Sequence, residues 1–153
     1  EKLARTGCEL REFDDRIRIR ATGKPKAVSK IETQVYPGFP TDRQAQFGAL
    51  LAAADGVSIV VENIFENRFK YTVQLGMMGA NITVKDRTAV IRGVKRLKGA
   101  QVCAEDLRGG AALVLAGLAA EGETTVRNAR HIDRGYQNIE TVFRALGADI
   151  QRK

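Results

Sequence analysis

The 153-residue sequence has no tryptophan, a single histidine (His131), two cysteines and three prolines. It also lacks any run of 18 uncharged apolar residues. Each scarcity removes a class. Without a long apolar run there is no candidate membrane-spanning helix. Cys8 and Cys103 make neither a metal-ligand spacing nor a disulfide framework, which points to a reducing, cytoplasmic setting. The Glu1–Gly7 segment lacks an apolar h-region and an initiator methionine, so no signal peptide is visible and the sequence fits a chain cut from something longer. Aromatic residues are only 6%, and the excess of 25 Lys and Arg over 18 Asp and Glu comes with no aromatic platform and no recognisable nucleic-acid module. The net charge of +7 therefore reads as solvated surface. It concentrates in 11–30 and 85–98, where Lys and Arg interleave with Ile or Val as in hairpins with one wet face. At 44% apolar content the chain is one globular domain, or part of one.

What the sequence does have is repetition. Leu3–Leu10, Leu75–Ile82 and Phe143–Ile150 each run from a helical end through a stopping glycine to an apolar strand starter. Gly7, Gly79 and Gly147 sit where a helix takes its left-handed C-terminal residue. The first two are followed by alternating segments, Glu9–Arg20 turning at Asp14-Asp15 and Asn81–Arg92 turning near Asp86, which read as β-hairpins. Upstream, Thr41–Gly56 pairs with Leu107–Gly122 at an offset of 66, two apolar helices ending at glycine. Strands at Val57–Glu62 and Thr124–Arg127 follow, then second helices near Lys70–Met78 and Gln137–Leu146. In the last helix Ile139, Val142, Phe143 and Leu146 fall at i, i+3, i+4 and i+7, a stripe expected to face a core. The unit is βαβαββ in an α+β chain, with about two and a half copies: a partial unit at 1–26, a unit at 27–98 and a partial unit at 99–153.

The Tyr36–Gln46 stretch, Y-P-G-F-P-T-D-R-Q-A-Q, reads as a site. Pro37 and Pro40 stiffen the loop and Gly38 permits a bend. Thr41 with Gln44 three places on fits a capping box, which puts Asp42 at the first helical position, favoured by the helix dipole. An ordinary capped helix start explains the same residues. Under the offset of 66, however, Asp42 superposes on Arg108 and Arg68 on Arg134. If the units are related by rotation, one carboxylate and three arginines gather at a shared rim. Arginine forks and helix N-termini both suit phosphate or carboxylate, so the expectation is an anion site.

P-G-F-P-T-D-R-Q-A-Q, I-F-E-N-R-F, A-E-D-L-R-G-G-A-A-L-V-L-A-G-L-A-A-E-G and H-I-D-R-G-Y resemble the C-terminal half of the UDP-N-acetylglucosamine 1-carboxyvinyltransferase family. The resemblance covers essentially the whole chain. It implies a two-lobed parent, each lobe an inverse α/β prism of three such units, of which this chain is most of one lobe. It further implies metal-free and cofactor-free transfer of the enolpyruvyl group of phosphoenolpyruvate to the 3′-hydroxyl of UDP-N-acetylglucosamine, an early step of peptidoglycan synthesis. On this resemblance Asp42 hydrogen-bonds the 3′-hydroxyl and accepts its proton, the Ile64 backbone meets the uridine-sugar, and Arg68, Arg108 and Arg134 hold the phosphoenolpyruvate side. Asp42 and Arg134 are the catalytic candidates. The family's lysine, asparagine and mobile-loop general acid belong to the missing N-terminal lobe. Cys8 occupies the repeat position of Ala80 and Ala148 and reads as a small buried residue; Cys103 reads as a strand interior and His131 as structural. The chain departs from the family at Val61-Glu62-Asn63, where hydroxyl residues flank the glutamate, and at Gln74 and Met77, where an acid and a base are usual. Two other classes stay open: a related enolpyruvyl transferase of the shikimate pathway or an RNA 3′-phosphate cyclase, which F-P-T-D and D-R-G-Y argue against, and an isolated lobe that binds a nucleotide-sugar weakly without turnover.

Overall fold

The structure is a computed structural model describing residues 1–153. After α1 (Lys2–Arg5) come the hairpin β1 (Glu9–Glu12) and β2 (Ile17–Arg20), then β3 (Lys30–Glu32). A 3₁₀ turn at Thr41–Arg43 leads into α2 (Gln44–Ala52), β4 (Val57–Val61), α3 (Tyr71–Met77) and the hairpin β5 (Asn81–Lys85) and β6 (Thr88–Arg92). The chain continues through β7 (Gln101–Cys103), α4 (Leu107–Ala119), β8 (Thr125–Arg127), α5 (Arg130–Asp133) and α6 (Ile139–Ala145).

The repeat explains the topology. Between 30 and 92 the strands form one sheet in the order β3-β4-β6-β5, with β3 parallel to β4 and the hairpin added antiparallel on the far side of β4. β7 and β8 repeat the parallel pair. β1 and β2 repeat the hairpin, since Glu9 opposes Arg20 as Asn81 opposes Arg92. Gly7, Gly79 and Gly147 take φ of 92°, 84° and 93° after α1, α3 and α6, a conformation that strains any residue with a Cβ.

The core lies between the four-stranded sheet and the helices. Ile31, Val60, Ala89 and Ile91 of the sheet pack with Ala49, Leu51 and Ala52 of α2, Leu75 of α3 and Ala112, Leu113 and Ala116 of α4. Glycines let the helices approach their neighbours closely: a methyl at Gly110 of α4 would meet Ile132 of α5 and Ala104. No helix is long and apolar enough to cross a membrane.

Three local expectations fail. Thr41 does not cap α2: its hydroxyl donates to Glu62 Oε2 at 2.9 Å, and Gln44 is buried with both side-chain polar atoms unpartnered. Asp42 accordingly sits inside the 3₁₀ turn, with Arg43 at the helix N-cap. The α6 stripe is only half covered. Ile139 and Phe143 pack on Ala104, Val114 and Ile132, whereas Val142 and Leu146 stay 55% and 76% exposed. Cys8 and Cys103 are both free and half-buried, and Cys103 ends its strand instead of lying within it.

Candidate active site

Two elements meet at Asp42. The 3₁₀ turn carries it to the mouth of α2, and the first turn of α4 brings Arg108, whose helix is capped by Asp106 accepting from the Gly109 amide at 2.7 Å. Arg108 Nη2 donates to Asp42 Oδ2 at 2.8 Å, and Arg68 Nη2, from the loop between β4 and α3, donates to Asp42 Oδ1 at 2.8 Å. Each carboxylate oxygen therefore holds one guanidinium. The Asp42 side chain is still 51% exposed, so the cluster opens to solvent.

The arginines are oriented from behind. The Arg68 guanidinium lies over the Phe65 ring, 4.8 Å from its centroid, with its Nε buried and unpartnered. Arg108 donates to the Tyr136 hydroxyl at 3.4 Å, and Gln46 Nε2 of α2 donates to the same oxygen at 2.8 Å. Tyr136, and then Asp42, push the Arg108 pKa above its ordinary value, so it stays cationic throughout the working range.

Behind Asp42 the decisive group is Glu62, only 1% exposed. Its Oε1 accepts from the Thr33 hydroxyl at 2.8 Å and from the Ile64 and Phe65 amides at 2.9 and 3.0 Å, while Oε2 accepts from Thr41. The Ile64 amide is thus committed to Glu62. Ile64 itself is 39% exposed and lines, with Tyr36, Pro37, Gly38 and Asn63, an open cleft of about 590 Å³ between the proline loop and the following strand end.

Of the five expected site residues, Asp42, Arg68 and Arg108 form one ion-pair cluster, and Ile64 stands beside the adjoining cleft. Arg134 is exposed where α5 ends, outside that cluster, and Tyr136, two residues on, is the residue of its loop that bonds Arg108. Sequence reasoning missed Glu62, Gln46 and Tyr136. A signal for Glu62 existed, because Ser58, Val60 and Glu62 share one face at a period of two, and all three are buried. His131 is half-buried and has no part in the cluster.

Residues 1–143 match the family described as EPSP synthase (3-phosphoshikimate 1-carboxyvinyltransferase). The chain belongs to that family. Among curated relatives of this enolpyruvyl transferase family, the chain is 57% identical over 151 residues to UDP-N-acetylglucosamine 1-carboxyvinyltransferase 2 of Caldanaerobacter subterraneus subsp. tengcongensis, covering 99% of this chain and 36% of that protein. It is 56% identical to the UDP-N-acetylglucosamine 1-carboxyvinyltransferase of Desulfofundulus thermocisternus, covering 99% and 62%. The chain thus spans about a third to three fifths of the relatives it matches. The solved enolpyruvyl transferase NikO from Streptomyces tendae superposes with a TM-score of 0.89 at 30% identity, over 99% of this chain and 35% of that one. An EPSP synthase from Acinetobacter baumannii shares the fold at a TM-score of 0.68 and 21% identity. The mixed α+β architecture is that of the enolpyruvyl transferases.

Proposed function

We propose that this chain supplies the C-terminal part of a site that transfers the enolpyruvyl group of phosphoenolpyruvate to the 3′-hydroxyl of UDP-N-acetylglucosamine, releasing phosphate. The observation that carries the reading is Asp42 held between Arg68 and Arg108 at 2.8 Å each, at the mouths of α2 and α4. The names of the relatives that are more than half identical over nearly the whole chain support the choice of acceptor.

In this reading Asp42 holds the place of the substrate anion until phosphoenolpyruvate arrives. Its carboxylate and phosphate take the forks of Arg68 and Arg108, with Arg134 closing from the end of α5, and the exchange frees both Asp42 oxygens for the sugar hydroxyl. Asp42 then accepts the hydroxyl proton as that oxygen attacks the enol carbon, while the arginines hold the charge that develops on phosphate. The cleft beside Ile64 takes the nucleotide-sugar. The proton for the methylene carbon comes from a second, N-terminal lobe, and a proton leaves that carbon again as the C–O bond to phosphate breaks, which restores the vinyl group. The three segments at 1–26, 27–98 and 99–153 are one partial, one whole and one partial unit of a single lobe, working in the cytoplasm with neither nucleic acid nor membrane as partner.

The test is phosphate release from phosphoenolpyruvate by the full-length polypeptide that contains this chain. Release that depends on UDP-N-acetylglucosamine and not on shikimate 3-phosphate is expected; the reverse dependence would assign the site to the shikimate reaction. Titrating the 153 residues alone with UDP-N-acetylglucosamine should show millimolar binding or none.

A further inference from the structure

Glu62 lies outside the ion-pair cluster, yet both halves of the site hang from it. Thr41, one residue before Asp42, donates to Oε2; Ile64 and Phe65, which lead to Arg68, donate their amides to Oε1. Thr33, itself 0% exposed, fills the remaining place on Oε1 and receives the Asn63 amide at 2.8 Å through its own hydroxyl. Four donors converge on one acceptor-only group, the arrangement suited to a carboxylate. The other tie between the two loops is the Arg68–Asp42 ion pair, which the proposed arrival of phosphoenolpyruvate breaks, whereas Thr41 spends its hydroxyl on Glu62 and not on the helix it precedes.

We propose that Glu62 is a positioning residue for the transfer reaction: by joining the Thr41 hydroxyl to the Ile64–Phe65 amides it fixes the distance between the Asp42 carboxylate and the loop that carries Arg68 and the nucleotide-sugar cleft. This rests on the function proposed above. Glu62 touches no substrate. It acts through Asp42, whose placement against the acceptor hydroxyl sets the rate, and a displacement of an ångström at such a group costs about 10²-fold. Phosphoenolpyruvate capture, which depends on the arginine forks, depends less on it.

The experiment is steady-state kinetics of the full-length polypeptide with Glu62→Gln, Thr41→Val and Thr41→Ser, each checked for folding by circular dichroism. Glu62→Gln turns an acceptor toward donors with an amide, and Thr41→Val cuts the bond by which Glu62 holds the Asp42 turn. Both should lower kcat by about 10-fold to 10²-fold with KM for phosphoenolpyruvate moving less than about threefold, and Thr41→Ser, which keeps the hydroxyl, should restore kcat to within about threefold of wild type. If Glu62→Gln does not fold, Thr41→Val against Thr41→Ser decides. Folded variants with wild-type kcat, or a Thr41→Ser no better than Thr41→Val, would overturn the positioning role while leaving the proposed function standing. A wild-type protein with no turnover would overturn both.

Discussion

Tyr71 shows how tightly individual side chains are set beneath the site. Its phenol is 3% exposed, presses on Gly48 of α2 and has no hydrogen-bond partner. Burial, followed by the carboxylates of Glu62 and Asp106, pushes its pKa above the ordinary phenol value, which favours the neutral phenol. A buried hydroxyl without a partner opposes folding. Tyr71→Phe should therefore be neutral or stabilising by about 1 kcal/mol in urea denaturation. Gly48→Ala at the same contact should destabilise by about 1–3 kcal/mol, because the added methyl collides with the ring. Loss of stability in Tyr71→Phe would mean that the hydroxyl has a partner.

Among the elements, the hairpins give the sharpest contrast. Gly7 and Gly79 lie 72 residues apart, and the same step carries Ile17 to Ala89 and Ile19 to Ile91. Ala89 and Ile91 are fully buried under α2 and α3, whereas Ile17 and Ile19 are 64% and 56% exposed because no parallel strand pair lies beside β2. In the 153 residues alone, Ile91→Ala should cost about 2–5 kcal/mol and Ile19→Ala less than about 0.5 kcal/mol in urea denaturation. At the other end, Arg152 clips the final residues to α5 and α6 through Asp133 at 2.6 and 2.9 Å and Glu140 at 3.1 Å. It lowers the pKa of Asp133; for Glu140 the larger cause is its own backbone amide, with Arg152 second. A depressed carboxylate pKa contributes stability above the unfolded value of about 4, and that contribution is lost as pH falls through the folded value. Arg152→Ala should lower the thermal midpoint at pH 7, and its deficit should shrink as pH falls below about 4.

These elements also mark how far sequence reasoning reaches. Turn chemistry at Gly7, Asp86 and Gly147 is local, so hairpins and helix ends were legible from residues a few places apart. The meeting of Asp42 with Arg108 was legible through the 66-residue offset, which is a property of the repeat and needs no contact map. Thr41 was misread because its hydroxyl can either accept from the first helix amides or donate to a carboxylate, and the carboxylate 21 residues away takes it. The α6 stripe was misread because amphipathic spacing says which face is apolar and not whether anything covers it. Tyr136 was invisible because its partners lie 28 and 90 residues away.

Across the whole molecule a parallel strand pair and a hairpin each occur twice, and the mouths of α2 and α4 meet at the Asp42 cluster. One complete sheet buries the core, while a hairpin without a strand pair stands at one end and a strand pair without a hairpin at the other. On the proposed reading both ends are covered by the rest of a two-lobed enzyme, and the Asp42 cluster faces the second lobe across the substrates. On that reading Asp42 works on the acceptor hydroxyl and is more than a brace for two arginines. Turnover of the full-length polypeptide carrying Asp42→Ala, measured as phosphate released from phosphoenolpyruvate at saturating UDP-N-acetylglucosamine, separates the two roles. The expected result is a loss on the order of 10²-fold or more with the fold intact; a loss within threefold would contradict it and leave Asp42 as an ion-pair partner alone.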